Sequence, residues 1–273
     1  MSNEVSPTGR YTHGHEQATL ASHGARTAAN SAAYLLPVLA PGMSLLDVGC
    51  GPGTITLDLA EMVAPGLVVG IENVEAPLVA ARDAATRRGD HSTRFEIGDA
   101  LALPFDDDSF DVVHAHQVLQ HLADPVGALK EMARVCKPGG WIAARDADYA
   151  AMAWYPELPG LEGWRRVYRA AARANGAEPD AGRRMRAWAT AAGLTGARFT
   201  ASVWNYADPD ICRWWGNSQA ERYCGPTFAR QAAEQGVTDA DLREIAAAWW
   251  AWGESPDAWF GIVHGELLAQ LNE

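Results

Sequence analysis

LLDVGCGPG, residues 45–53, is the stretch that decides the fold. Leu45 to Val48 is a short apolar run holding one acid, Asp47, and reads as the end of a buried strand. Gly49, Gly51 and Gly53 follow at every second position, and Thr54–Val63 (TITLDLAEMV) reads as a helix. Strand, glycine turn and helix form a ligand-binding arrangement, because glycine lets the backbone lie against a bulky ligand with no Cβ between them. The spacing discriminates between ligands. A dinucleotide fingerprint, GxGxxG, needs its third glycine at position 54, where Thr54 stands. Asp47 just before the turn repels a pyrophosphate and suits a ligand that carries an ammonium group.

Further signals stand at successive strand ends. Residues 67–71 (LVVGI) predict a second strand ending in Glu72, about 20 residues past the glycine turn, where an acid accepts both hydroxyls of a ribose. Glu75 lies near but does not follow the strand directly. Residues 93–97 predict a third strand, followed by Asp99, Ala100 and Leu101. That acid can accept from an adenine amine while its two neighbours supply apolar contact. Residues 111–115 predict a fourth strand, whose carboxyl end faces the crevice of a doubly wound sheet. His116, Gln117 and His121 come directly after it. His121 falls five residues past His116, which is not one helical face and so not a metal pair. It reads either as a local hydrogen-bonding group that fixes the turn or as a base. Pro125–Val135 predicts a helix with proline in its first turn. Lys137-Pro-Gly-Gly140 ends it, and a fifth strand starts at Trp141.

In this order, from about residue 35 to 146, these signals resemble the class I S-adenosylmethionine-dependent methyltransferases. The closest likeness is to the quinone-biosynthesis and small-molecule branch. The resemblance implies an α/β fold: a doubly wound, seven-stranded, mostly parallel sheet (a Rossmann-like methyltransferase fold) with helical cap elements. It implies S-adenosylmethionine as cofactor, bound by Asp47, Gly49, Gly51, Gly53, Glu72, Asp99, Ala100 and Leu101. His116 and Gln117 then line its methionine part and the reacting methyl. N-terminal segments cap the cofactor in many members, which makes Tyr11 a cofactor-binding candidate. His15, near His13, joins His116 and His121 as a candidate base. The competing reading of residues 11–15 is an exposed tail.

Composition bounds the rest. A formal charge of -12 argues against nucleic acid or an anionic membrane as the main partner. No apolar run approaches the roughly 18 residues of a membrane span. The polar N-terminus has no signal-peptide core, and the four cysteines lack metal spacing, so a cytoplasmic protein without a metal is expected. Eleven tryptophans are concentrated in the back half, where individuality should lie. Residues 1–40 are expected to form an N-terminal helical cap, with a helix over 19–36. Residues 41–273 form the methyltransferase domain, with 148–193 and 208–252 as helical insertions covering substrate. Helices are predicted over 163–175, 180–192, 208–233 and 239–250, and a sixth strand over 194–204. Residues 259–264 read as a seventh strand or the start of a last helix. Asp146, Asp148 and Tyr149 are candidates to face substrate, and 154–160 reads as a loop. Trp154, Tyr155, Trp214, Trp215 and Tyr223 are expected to roof the crevice together with residues 11–15. Glu221–Tyr223 stands out as a polar pair in an aromatic surround.

The function expected is methyl transfer to an O, N or C atom of a small apolar or aromatic molecule, by a monomer or homodimer. The alternative is a protein that binds the same cofactor for another reaction, such as a cyclisation, or as an accessory subunit. An NAD-dependent dehydrogenase is opposed by Asp47 and Thr54.

Overall fold

The computed structural model describes residues 26–272. Its centre is β1 (Leu45–Val48), buried along its whole length and paired in parallel with β2 (Val68–Glu72) on one side and β4 (Phe110–His116) on the other. Burial on both faces is why this strand is a continuous apolar run rather than an alternating one. β3 (Arg94–Ile97) extends the sheet beyond β2, and β5 (Cys136–Ala147) extends it beyond β4, both in parallel. β8 (Trp259–Gln270) then runs antiparallel to β5. β7 (Arg198–Tyr206) pairs antiparallel along the other edge of β8. The short β6 (Ala153–Tyr155) continues the β5 edge by pairing with the start of β8.

Layers follow from side-chain alternation. Leu45, Val112 and Ala143 pack on one face with Ile55 and Leu59 of α2 (Thr54–Val63) and with Ala28 of α1 (Ala28–Ser31). Leu46, Val113 and Ile142 pack on the other face, with Leu129 and Met132 of α4 (Pro125–Val135). α3 (Glu75–Arg88) links β2 to β3. Asp124 caps α4 by accepting from the Gly127 N–H at 2.8 Å, with Pro125 as its first residue.

A second core lies beyond the sheet edge, in the back half. α5 (Pro159–Ala174), α7 (Pro209–Cys224), α8 (Pro226–Ala233) and α9 (Asp239–Gly253) bury Trp164, Tyr168, Tyr223, Trp249 and Trp252 against Phe260 of β8. α6 (Met185–Ala191) packs instead on the sheet beside α4.

The structure differs from the sequence reading in several elements. Within the described residues the expected first helix is only α1, started by a Thr27–Asn30 capping box, and a 3-10 turn at Leu36–Val38 follows. The helix expected over 208–233 breaks at Gly225, because Pro226 cannot continue the hydrogen-bond ladder. Residues expected as a loop include β6, so the sheet has eight strands rather than seven. Residues 259–264 do form a strand, and it runs on to Gln270. The helices expected from 208 and from 239 are capped by the Asp208 and Thr238 side chains.

Candidate active site

Strand order reverses at β1, which puts a ligand crevice at the carboxyl ends of β1 and β4. The three glycines of the β1 loop serve different purposes. A Cβ on Gly49 would sit 2.4 Å from Cγ2 of Val118, so this glycine lets the β1 and β4 loops touch. A Cβ on Gly53 would meet Ala81 and Phe95 at about 3 Å, so this one lets α2 pack against α3 and β3. A Cβ on Gly51 would meet nothing, and its φ of +55° is a left-handed conformation that suits glycine. Gly51 therefore faces open space in the crevice, the cradle a ligand needs.

Glu72, at the tip of β2, accepts the Gly51 N–H with Oε1 at 2.9 Å. Burial raises its pKa, against the pull of the Gly51 and Asn73 amides. Asp99 closes a tight turn after β3 by accepting the Leu101 N–H at 2.9 Å, with Ala100 and Leu101 packed partly on the sheet core. Asp47 is turned inward. Its Oδ2 accepts the Thr56 hydroxyl at 2.6 Å, its Oδ1 lies 2.8 Å from Nδ1 of His114, and the residue is 2% exposed. This departs from the expectation that Asp47 meets a ligand's ammonium directly: its carboxylate ties α2 to β1 and β4.

Gln117, at the tip of β4, has a φ of +56°, a strained value for a residue with a side chain. Its N–H donates to the Arg145 carbonyl at 2.7 Å, which holds that conformation. Its Oε1 accepts from the Arg26 guanidinium at 2.9 Å, and its Nε2 lies 2.8 Å from Nε2 of His264. His264 Nδ1 lies 3.0 Å from the Ile262 carbonyl, which assigns the proton to Nδ1 and leaves Nε2 to accept from Gln117. An ordered chain thus runs from β8 through Gln117 to Arg26.

His116 and His121, two of the candidate bases, are both held in the neutral form. His116 is 5% exposed, neither ring nitrogen has a hydrogen-bond partner among the described residues, and burial with the nearby Arg26 and Arg145 holds its pKa well below the usual imidazole value. Burial pushes His121 down to about 3, and its Nε2 lies 3.1 Å from the Gln120 amide. Tyr11, His13 and His15 lie outside the described residues.

A cavity opens beside Gln117, between the sheet edge and the cap helices. Its walls include Tyr149, Trp204 and Tyr206 from the ends of β5 and β7, Phe260 and Ile262 from the start of β8, and Trp215, Gln219, Arg222 and Tyr223 from α7. Tyr149, Trp215 and Tyr223 were expected there. Trp154 instead stacks on Phe260 in the cap core, while Tyr155 and Trp214 are largely turned outward. Asp148 is held by Arg183 and caps a 3-10 turn, and Asp146 is fully buried. Sequence reasoning missed Arg26, Trp204, Tyr206, Gln219, Phe260, Ile262 and His264. Two-residue alternation along β7 and β8 was the available signal for five of them. Among the described residues no group of three or more His, Cys, Asp or Glu side chains could hold a metal.

The glycine cradle, Glu72 and Asp99 on successive strand tips fit the adenosyl part of S-adenosylmethionine. A family model for a methyltransferase domain matches residues 39–193. An uncharacterized methyltransferase of Schizosaccharomyces pombe is 32% identical over 274 residues, spanning 96% of this chain and 97% of that one. Demethylmenaquinone methyltransferase of Lactococcus lactis is 37% identical over 117 residues, 42% of this chain and 46% of that one. The crystal structure of the YcgJ protein of Bacillus subtilis has the same fold, with a TM-score of 0.58 at 19% identity over 88% of this chain and 97% of that one. The chain belongs to the methyltransferase-domain family and is a class I S-adenosylmethionine-dependent methyltransferase.

Proposed function

We propose that the chain methylates a nucleophilic atom of a largely apolar small molecule held in the cavity beside Gln117. The observation that carries this is the aromatic lining of that cavity, to which Gln117 at the tip of β4 also contributes. Ring faces and aliphatic walls suit the apolar body of an acceptor, and Gln117 and Gln219 are among the polar groups that can orient it.

The cofactor supplies a methyl already activated on a sulfonium. Glu72 holds the ribose hydroxyls once the crevice is filled, and Gly49, Gly51 and Gly53 shape the backbone under the ligand. Asp99, Ala100 and Leu101 receive the adenine. Asp47 acts through α2 and the His114 ring, supporting the loop from beneath. Gln117 and His116 stand where β4 meets the methionine end. Excluding water and aligning the acceptor are then the main tasks left to the chain.

Residues 148–193 and 208–252 cover the acceptor from above, and residues 11–15 close the mouth, with Tyr11 on the cofactor and His15 near the acceptor. The described cysteines are free thiols, which suits a role in small-molecule biosynthesis in the cytoplasm. No helix among the described residues is long and apolar enough to cross a membrane.

The test is turnover of labelled S-adenosylmethionine to S-adenosylhomocysteine against a panel of hydroquinones, phenols and aromatic amines. Methylated product from an apolar member is expected. Calorimetric binding of S-adenosylhomocysteine with no methylated product from any acceptor would instead favour non-transfer chemistry.

A further inference from the structure

We propose that the acceptor presents a carbonyl oxygen to α7, where the Trp215 indole N–H and the Gln219 amide N–H donate to it. This rests on the methyl-transfer reading and names the substrate class of the same site.

Trp215 and Gln219 stand four residues apart on α7, on one helical face, and both line the cavity. They are 8% and 1% exposed. The indole nitrogen of Trp215 and the amide nitrogen of Gln219 are buried with no hydrogen-bond partner among the described residues. An unmatched buried donor is costly, and two of them on neighbouring turns of one cavity wall call for a ligand atom that accepts.

Packing holds both donors where they are. The Trp215 ring stacks on Tyr206, with centroids 4.6 Å apart and planes 18° apart, which fixes the plane in which its N–H lies. α7 is seated backbone to backbone on α9. A Cβ on Gly216 would lie 2.6 Å from the Trp249 carbonyl oxygen, and one on Gly253 would lie 3.1 Å from the Cys212 carbonyl oxygen. That close seat sets the rotation of α7, so the face carrying Trp215 and Gln219 stays on the cavity.

A carbonyl oxygen matches these features. It has two lone pairs and no hydrogen, so one atom can take both bonds. A purely hydrocarbon body leaves both donors unmatched, and an ammonium brings only more donors. A hydroxyl can accept, but it also carries a proton that these two donors cannot take. Met152, Phe260 and Ile262 provide apolar wall for the rest of the molecule. The carbonyl anchors the acceptor on α7, and the atom to be methylated lies elsewhere on its body, toward Gln117 at the tip of β4.

The experiment compares acetophenone, 1-phenylethanol and α-methylstyrene, probes of one skeleton that carry a carbonyl, a hydroxyl and no oxygen. Calorimetry is run on the full chain with and without S-adenosylhomocysteine. Acetophenone is expected to bind roughly tenfold more tightly than α-methylstyrene, the scale of two neutral hydrogen bonds, with 1-phenylethanol between them. Gln219→Leu removes one donor, and Trp215→Phe removes the other while keeping a ring against Tyr206. Each should lower the preference for acetophenone about threefold, and the double variant should abolish it. Thermal unfolding and S-adenosylhomocysteine affinity check that each variant is folded, and either single variant suffices if the other fails to fold. Equal binding of acetophenone and α-methylstyrene, tighter binding of 1-phenylethanol than of acetophenone, no heat from acetophenone at millimolar concentration, or a preference unchanged in a folded variant would overturn the proposal. Absence of S-adenosylhomocysteine binding to the parent protein would overturn the methyl-transfer reading by itself, since the probe preference is also measured without that ligand.

Discussion

The cofactor half and the cap half of this molecule are built on different principles. From β1 to β4 each candidate group sits at the tip of one strand, and the strands follow one another in the chain. The cavity under the cap draws instead on Arg26, Gln117, Tyr149, Trp204, Arg222 and Ile262, brought together only by the folded sheet edge and helices. A generic ligand can be recognised by a local pattern on a fixed scaffold. Acceptor recognition is assembled from distant pieces, so it can change without disturbing the scaffold.

The strongest way to break this comparison is to damage one half and read the other. Trp249 is fully buried, with ring centroids 4.8 Å from Trp164 and 5.4 Å from Phe260. Trp249→Ala should cost about 3–5 kcal/mol of stability by denaturant titration. S-adenosylhomocysteine affinity, measured where the variant is still folded, should change by less than about threefold, the additivity expected of distant sites. A parallel collapse of ligand affinity would mean that the two halves act as one unit.

The second comparison stays within the cofactor half. Glu72 faces the crevice and holds Gly51, whereas Glu75 is exposed and pairs with Arg82. Glu72→Ala should weaken S-adenosylhomocysteine binding by roughly 1.5–3 kcal/mol, the worth of charge-assisted hydrogen bonds. Glu75→Ala should stay within about 1 kcal/mol, as surface pairs do. Reversed results in the same calorimetry would place the ribose contact at the wrong acid.

The glycine loop supplies a third contrast. Gly49→Ala forces its Cβ onto Val118 and should lose about 1–3 kcal/mol of stability in the ligand-free protein. Gly51→Ala meets no atom and should lose only about 1 kcal/mol for its left-handed backbone. Its Cβ enters the cradle, however, so ligand binding should fall more than stability does. Unfolding curves and calorimetry on both variants separate the two effects, and full ligand affinity in Gly51→Ala would contradict the cradle.

Legibility in the sequence divides along the same line. The glycine spacing, Glu72 at a strand end and the succession of strands as far as β5 were readable because each depends on neighbours close in the chain. The inward turn of Asp47 was not, because its partners are Thr56 on the next helix and His114 on another strand. Arg222 was noticed as part of a polar pair, but its alignment with Trp215 and Gln219 appears only once one face of α7 is known to meet the cavity. Arg26 carried no local signal at all, since Gln117 and Trp204 hold it from far along the chain. The short β6 was hidden because its pairing depends on where β8 begins.

A pH-dependent effect is expected where the two halves meet. Asp146, near the end of β5, is fully buried, with Oδ1 accepting the Gln120 N–H at 3.1 Å and Oδ2 unpartnered among the described residues. Burial raises its pKa to about 8, against the pull of the Gln120 and Leu119 amides and of Arg145. At neutral pH the folded protein therefore keeps a proton that the unfolded chain, titrating near the ordinary carboxyl value of about 4, has released. The folded state binds more protons than the unfolded state between those values, so stability falls as pH rises. This contribution is fully present below the unfolded value and is lost as pH rises through about 8. The slope it adds approaches about 1.4 kcal/mol per pH unit within the window. Asp146→Asn keeps an oxygen for the Gln120 N–H but has no proton to lose, so denaturation midpoints of the variant should vary less across this range. An identical pH dependence in parent and variant would show that Asp146 is ionised in the folded protein, with solvent or an unseen cation reaching the edge between sheet and cap.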